Sequence, residues 1–120
     1  MKRFLAALAL CALLCPAAHA EAPQKYIALT FDDGPSGRCT ERLLDGLAAR
    51  EVHATFFLCG YRVEQYPALA ARIAQEGHEI GNHSNRHEFF THMSAEAVCA
   101  DLHKAEETIS AATGQTPHLL

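Results

Sequence analysis

The chain has 120 residues, with 14 acidic against 10 basic side chains and a formal charge of −4. This is one domain's worth of chain with room for a modest core, and no basic cluster suggests nucleic acid or anionic lipid as a partner. No repeat, low-complexity tract or linker divides it.

Residues 1–20 read as an export signal. Lys2 and Arg3 form a basic start, Phe4 to Cys15 is an unbroken apolar run, and Ala18, His19 and Ala20 give a small-residue cleavage pattern before Glu21. The run is shorter than the ~20 apolar residues a spanning helix needs, so a stable membrane anchor is not expected. A lipid-anchored alternative would need a small residue before Cys11 or Cys15, where Leu10 and Leu14 stand. The expectation is a periplasmic, cell-envelope or secreted protein whose mature part is residues 21–120. Losing Lys2 and Arg3 leaves 8 basic side chains against 14 acidic ones, a formal charge of −6. Cys39, Cys59 and Cys99 remain; their odd number and the lack of a C-x-x-C pair argue against a disulfide scaffold or a cysteine-based zinc site. Each reads as a small buried side chain.

Short stretches with strand-forming residues then alternate with helical patterns. Tyr26 to Phe31, Ala54 to Leu58 and His78 to Asn82 are strand-like and bounded by Gly, Pro or Asn. The first helix is predicted to open at Thr40 as N-cap, with Leu43, Leu44, Leu47 and Ala48 on one stripe. A second runs from about Tyr66 to Gln75, with Leu69, Ala70 and Ile73 inward and Gly77 placed to stop it. A third starts near Ser94 and repeats Val98, Leu102, Ala105, Ile109 and Ala112 up to Gly114. This order predicts an α/β fold, a parallel sheet with covering helices, whose chemistry gathers at the carboxyl ends of the strands.

Two constellations fall at that mouth. Asp32 and Asp33 follow the first predicted strand, and His83 and His87 follow the third with a spacing of four. If the backbone makes a helical turn there, both rings face one side and can share a metal. Two histidines and one carboxylate leave open positions on a divalent ion, as catalytic sites do. Either aspartate could be the third ligand. Its neighbour would then stay unligated and take a proton from a water beside the ion. Strand neighbours point to opposite faces, so this division needs the chain to turn just after Phe31, where Gly34 and Pro35 supply a turn. Alone, a paired aspartate is more often a solvated loop and an H-x-x-x-H more often surface residues; the joint placement carries the metal reading.

TFDDGP at 30–35, ATFFLCG at 54–60 and EGHEIGNHSNRH at 76–87 resemble the polysaccharide deacetylases of the NodB homology type, carbohydrate esterase family four. The likeness runs from about Tyr26 to the last residue. It implies the first three βα units of a distorted (β/α) barrel, incomplete at the C-terminus, with residues 21–120 as the amino-terminal part of the domain. It also implies one divalent ion, zinc first with cobalt or another divalent ion compatible, and hydrolysis of an N- or O-acetyl group on a polysaccharide such as peptidoglycan, chitin oligomers or xylan. By the same resemblance Asp32 is the general base, Asp33, His83 and His87 are the metal ligands, and Ser84 steadies the histidine loop. The family's later arginine, aspartate and general-acid histidine have no counterpart up to Thr116–Leu120. The resemblance therefore implies little or no activity for these residues alone, and a third strand with an unpaired edge. A noncatalytic metal- or carbohydrate-binding remnant is the rival reading. No substrate-binding residue is assigned. His53, His78, His92, His103, His118, Tyr61, Arg62 and Arg86 stay outside the site.

Overall fold

The computed structural model describes residues 24–120; the expected export signal at residues 1–20 lies outside the described residues. The strands are β1 (Thr30–Gly34), β2 (Thr55–Leu58) and β3 (Glu79–Asn82), parallel and hydrogen-bonded in the order β1-β2-β3. Helices α1 (Gly37–Ala48), α2 (Gly60–Gln65), α3 (Pro67–Gln75) and α4 (Ala95–Thr113), with a 3₁₀ turn at Phe90–His92, fill the connections. No helix among the described residues is long and apolar enough to cross a membrane.

The first strand departs from its prediction. Tyr26 and Ile27 are 81% and 87% exposed, and β1 starts at Thr30 and runs through both aspartates. Pairing sets this start: Thr30 and Phe31 lie opposite Thr55 and Phe56, and before them Leu29 O still accepts the Thr55 N–H at 2.9 Å. Gly34 then pairs with Leu58, leaving one extra residue in β1 between Phe31 and Gly34. This is a β-bulge, with Asp33 in the left-handed region at φ 65°.

α1 also starts earlier than expected. Its N-cap is Ser36, and Thr40 sits in the first turn, where its hydroxyl accepts the Ser36 N–H at 2.9 Å. Leu44 and Leu47 are buried and Leu43 partly so, whereas Ala48 is exposed. α3 and α4 follow the sequence pattern. Gly77 takes φ 80° just beyond α3, Ser94 Oγ accepts the Ala97 N–H at the start of α4, and Gly114 closes it at φ 73°. The short α2 was not anticipated.

The core lies between the sheet and its helices. Phe56, Leu58 and Ile80 meet Leu44, Val63, Ala70, Ile73, Ala105 and Ile109. Fully burying side chains of this size contributes about 1.5–3 kcal/mol each before entropy is counted. On the opposite face Phe57 lies over Gly81, where a Cβ would approach Phe57 Cδ1 to 2.4 Å. The free edge of β3 is partly taken: the Asn82 N–H donates to Leu119 O at 2.8 Å, and Gly81 bridges Leu119 in parallel.

The cysteine expectation holds only for Cys59, which is buried; Cys39 and Cys99 are exposed, and all three are free thiols. His78 is core, 3% exposed. Its Nδ1 accepts the Ala54 N–H at 3.3 Å, so the neutral ring carries its proton on Nε2. Nε2 has no acceptor among the described residues and lies 3.9 Å from Glu76 Oε2. Burial holds the His78 pKa below the ordinary 6.5, with the Glu76 charge opposing and His53 reinforcing. The unfolded chain therefore takes up this proton at a higher pH than the folded one. The stabilisation from a neutral His78 is complete above about 6.5 and is lost as pH falls toward the folded value. Thermal melts from about pH 7.5 to about pH 5.5 should show a falling Tm, and His78→Asn, which keeps an acceptor for Ala54, should flatten the slope. Equal slopes in the two proteins would show that His78 is not the titrating group.

Candidate metal centre

The site forms where two irregular pieces of backbone meet. At the end of β1 the bulge turns Asp33 out of the strand alternation. After β3 the segment His83–His87 is a loop and not the helical turn considered from sequence, with Ser84 at φ 67° and His87 at φ 58°.

The loop's backbone donors are satisfied almost one by one. His83 N–H donates to Leu58 O at 2.9 Å. Ser84 N–H donates to Asn82 Oδ1 at 2.9 Å, Asn85 N–H to Asp101 Oδ2 at 2.6 Å, and His87 N–H to Ser84 Oγ at 3.0 Å. In return, the Ser84 and Asn85 carbonyls accept the Gly60 and Tyr61 N–H groups at 3.0 Å each. Those are the first donors of α2, which have no partner inside their own helix. A left-handed non-glycine residue costs of order 1–3 kcal/mol and persists only when its surroundings over-determine it; this network does so twice.

The two rings thereby converge on one carboxylate. Asp33 Oδ1 lies 3.1 Å from His83 Nε2 and 2.9 Å from His87 Nε2, and the ring centroids are 5.2 Å apart. One ligand atom from each residue falls within 4.8 Å of the other two, and among the described residues no other group of three His, Cys, Asp or Glu does so. Asp33 and His87 are exposed and His83 is half-buried, so the cluster is open on one side. Two imidazoles and a carboxylate with an open side are a donor set that fits a divalent ion of the zinc or cobalt kind. Asp32 is exposed beside them and outside the triad. A cavity of about 260 Å³ lies along Asp32, Asp33, Ser36, Cys39 and Arg62. A second, of about 430 Å³ and largely apolar, lies along His83, His87, Phe89, Phe90 and Leu102.

A family model described as polysaccharide deacetylase matches residues 19–120. The chain belongs to the polysaccharide deacetylase family. It is 41% identical over 97 residues to the peptidoglycan-N-acetylmuramic acid deacetylase PdaC of Bacillus subtilis, covering 81% of this chain and 21% of that protein. The solved PdaC structure superposes with a TM-score of 0.76, covering 79% of this chain and 47% of that one. The chitooligosaccharide deacetylase of Rhizobium leguminosarum bv. trifolii is 40% identical over 100 residues, 83% of this chain and 46% of that protein. A family 4 acetyl xylan esterase from Clostridium thermocellum, solved with a cobalt ion, is 39% identical with a TM-score of 0.73, covering 78% and 46%. The chain spans less than half the length of the two curated relatives. Its three parallel strands and covering helices are part of the family's (β/α) barrel.

Three residues that hold this loop were not found from sequence. Asn82 is buried, donating from Nδ2 to Leu102 O at 2.9 Å while Oδ1 accepts from Ser84. Asp101 is buried beneath the loop. The signal for it was available: it stands three residues after Val98 and four before Ala105, an acid on the inward stripe of α4. Gly60 is the third, since a Cβ there would lie 2.2 Å from Asn85 Oδ1 and 3.1 Å from the Ala105 backbone. Conversely, His53, His92, His103 and His118 take no part in the cluster.

Cys59 sits beneath the loop, its thiol donating to His83 O at 3.4 Å. Burial first, and then the negative charge of Asp33, push its pKa up to about 11. It is therefore a structural thiol and a poor nucleophile near neutral pH. Brief treatment of the folded protein with a maleimide near pH 8 should label Cys39 and Cys99 and spare Cys59. Peptide mapping checks this, and labelling of Cys59 at the rate of the other two would contradict its packing.

Proposed function

We propose that this chain is the metal-binding part of a secreted or cell-envelope, metal-dependent hydrolase that removes acetyl groups from an N- or O-acetylated polysaccharide such as peptidoglycan or chitin oligomers. The observation that carries the reading is the convergence of Asp33 Oδ1 on the Nε2 atoms of His83 and His87. Residues 1–20 are part of the proposal as an export signal, consistent with a polymer outside the cytoplasm. Zinc is the proposed ion, with the cobalt ion of the xylan esterase as a close chemical alternative. A divalent ion in such a site polarises an acyl carbonyl and lowers the pKa of water, so that a nucleophile is available near neutral pH.

The chain's own residues do the rest of what it can do. Asp33, His83 and His87 hold the ion. Asp32, next to a ligand without joining the triad, takes the proton from the attacking water as general base. The Ser84 hydroxyl accepts the His87 N–H and so fixes where that ring stands. Protonation of the leaving group has no candidate at this mouth among the described residues, and little or no turnover is proposed for the 120 residues alone.

Asp32→Asn separates an enzyme from a noncatalytic binder. In a chain extended to the length of its relatives, it should cut acetate release by about 10²–10⁴-fold while calorimetry still finds one zinc per chain. His83→Ala should abolish that zinc. Full acetate release by Asp32→Asn would remove the base role, and unchanged zinc binding by His83→Ala would remove the metal site.

A further inference from the structure

The peptide that joins Ser84 to Asn85 is held at both ends. Its carbonyl, Ser84 O, accepts the Gly60 N–H of α2 at 3.0 Å. Its N–H, on Asn85, donates to Asp101 Oδ2 of α4 at 2.6 Å, the shortest hydrogen bond of the loop. A contact this short to a carboxylate is of the charge-assisted kind. Asn85 stands midway between His83 and His87, with the left-handed Ser84 before it and the left-handed His87 after it. The orientation of this one peptide sets the torsions on both sides of it, and with them the approach of the two rings, whose centroids lie 5.2 Å apart.

The residue type at position 101 needs a reason of its own. The buried residues of α4 are Asp101, Ala105 and Ile109, a single row at a spacing of four. Ala105 and Ile109 belong to the hydrophobic core, whereas Asp101 is an acid, 9% exposed, that joins no ion pair among the described residues. Taking a carboxylate out of water is costly unless hydrogen bonds compensate it, and an apolar side chain in this row would avoid that cost. Packing α4 on the sheet therefore does not call for an acid here. What the acid supplies is an acceptor strong enough to hold one orientation of the Ser84–Asn85 peptide against the left-handed torsions beside it.

We propose that Asp101 is a positioning residue of the metal centre: from α4 it fixes the Ser84–Asn85 peptide, and thereby the convergence of His83 Nε2 and His87 Nε2 on Asp33, so that metal affinity is set in part by a residue that is not a ligand. The inference rests on the metal-dependent reading proposed above and deepens it. Groups behind the ligands act in this way because they remove the freedom that the ligands would otherwise lose on binding. Asp101 differs from the usual case in acting on the backbone between two ligands and not on a ligand ring. It follows that the packing of α4 and the occupancy of the site are coupled, each favouring the other.

The test titrates the 120-residue chain with cobalt(II) and follows the visible absorption bands, which report the geometry of the ligands. Asp101→Ala should weaken cobalt binding about 10–100-fold and alter the bands of the cobalt still taken up. Asp101→Asn keeps an oxygen acceptor without the charge, so it should recover part of the affinity and of the spectrum. Ile109→Val, two turns further along the same buried row, should lower Tm yet leave affinity and bands at their wild-type values, which separates positioning from a general loosening of α4. Wild-type affinity and bands in Asp101→Ala, or an equal loss in Ile109→Val, would overturn the inference and leave the metal-dependent reading standing. Where Asp101→Ala does not fold, Asp101→Asn decides, and wild-type cobalt binding by it would overturn the inference. A wild-type chain that takes up no cobalt would overturn the inference and the metal-dependent reading together.

Discussion

The geometry of the site depends on one docking contact, the seating of the His83–His87 loop on the first turn of α2. The Gly60 and Tyr61 N–H groups would be orphans at the helix start, and the Ser84 and Asn85 carbonyls accept them. Only a residue without a Cβ permits that approach, because Gly60 is pressed between Asn85 and the backbone of α4 at Ala105. Asp101 grips the loop from α4 through the Asn85 N–H, and Asn82 ties the loop's first residues to Leu102. The ring positions are therefore set by helix packing far more than by the loop's own preferences. The left-handed Ser84 and His87 are held by these contacts and not chosen for conformational ease.

The bulge in β1 answers the same need from the other side. A regular strand would point Asp32 and Asp33 to opposite faces. The extra residue between Phe31 and Gly34 breaks that alternation and turns Asp33 toward the histidines, leaving Asp32 at the solvent-exposed mouth. Two adjacent carboxylates thereby reach different surroundings with no further machinery. Bulges serve this purpose beside functional sites generally, re-aiming one side chain while the strand resumes its register; here it resumes at Gly34 opposite Leu58.

Much of this was legible in the sequence, for reasons that can be traced. The stripes of α3 and α4 and their terminating glycines come from local periodicity and capping, so Gly77 and Gly114 behave as read. The β2 segment is apolar because it is the central strand, and β3 gives the core only Ile80. Tyr26–Ala28 misled because an apolar run reports only that burial is available, and the pairing with β2 begins after it. Thr40 misled because a hydroxyl at a helix start can serve from inside the first turn as well as from the cap. The site's residue types were visible from their spacing, but the bulge and the loop were not. Both rest on contacts across 16 to 25 residues, such as Asn85 with Asp101, Gly60 with Ser84 or Cys59 with Gly34, which no local pattern encodes.

The charges at the mouth explain why the arrangement favours a bound cation. Asp32 and Asp33 are neighbours in sequence, and no lysine or arginine pairs with either among the described residues. Asp101 adds a third carboxylate under the same loop, offset by a single backbone N–H. The Asp33 partners are imidazoles, which neutralise a carboxylate only when protonated. A divalent ion would remove the conflict, because imidazoles are good ligands for the kind of ion that would offset Asp33. It would also leave Asp32 as an unpaired acceptor beside that ion, the placement that the proposed general base requires. The contact at Gly60 that docks the histidine loop is therefore a precondition for the convergence of His83 and His87 on Asp33, on which the proposed metal site rests.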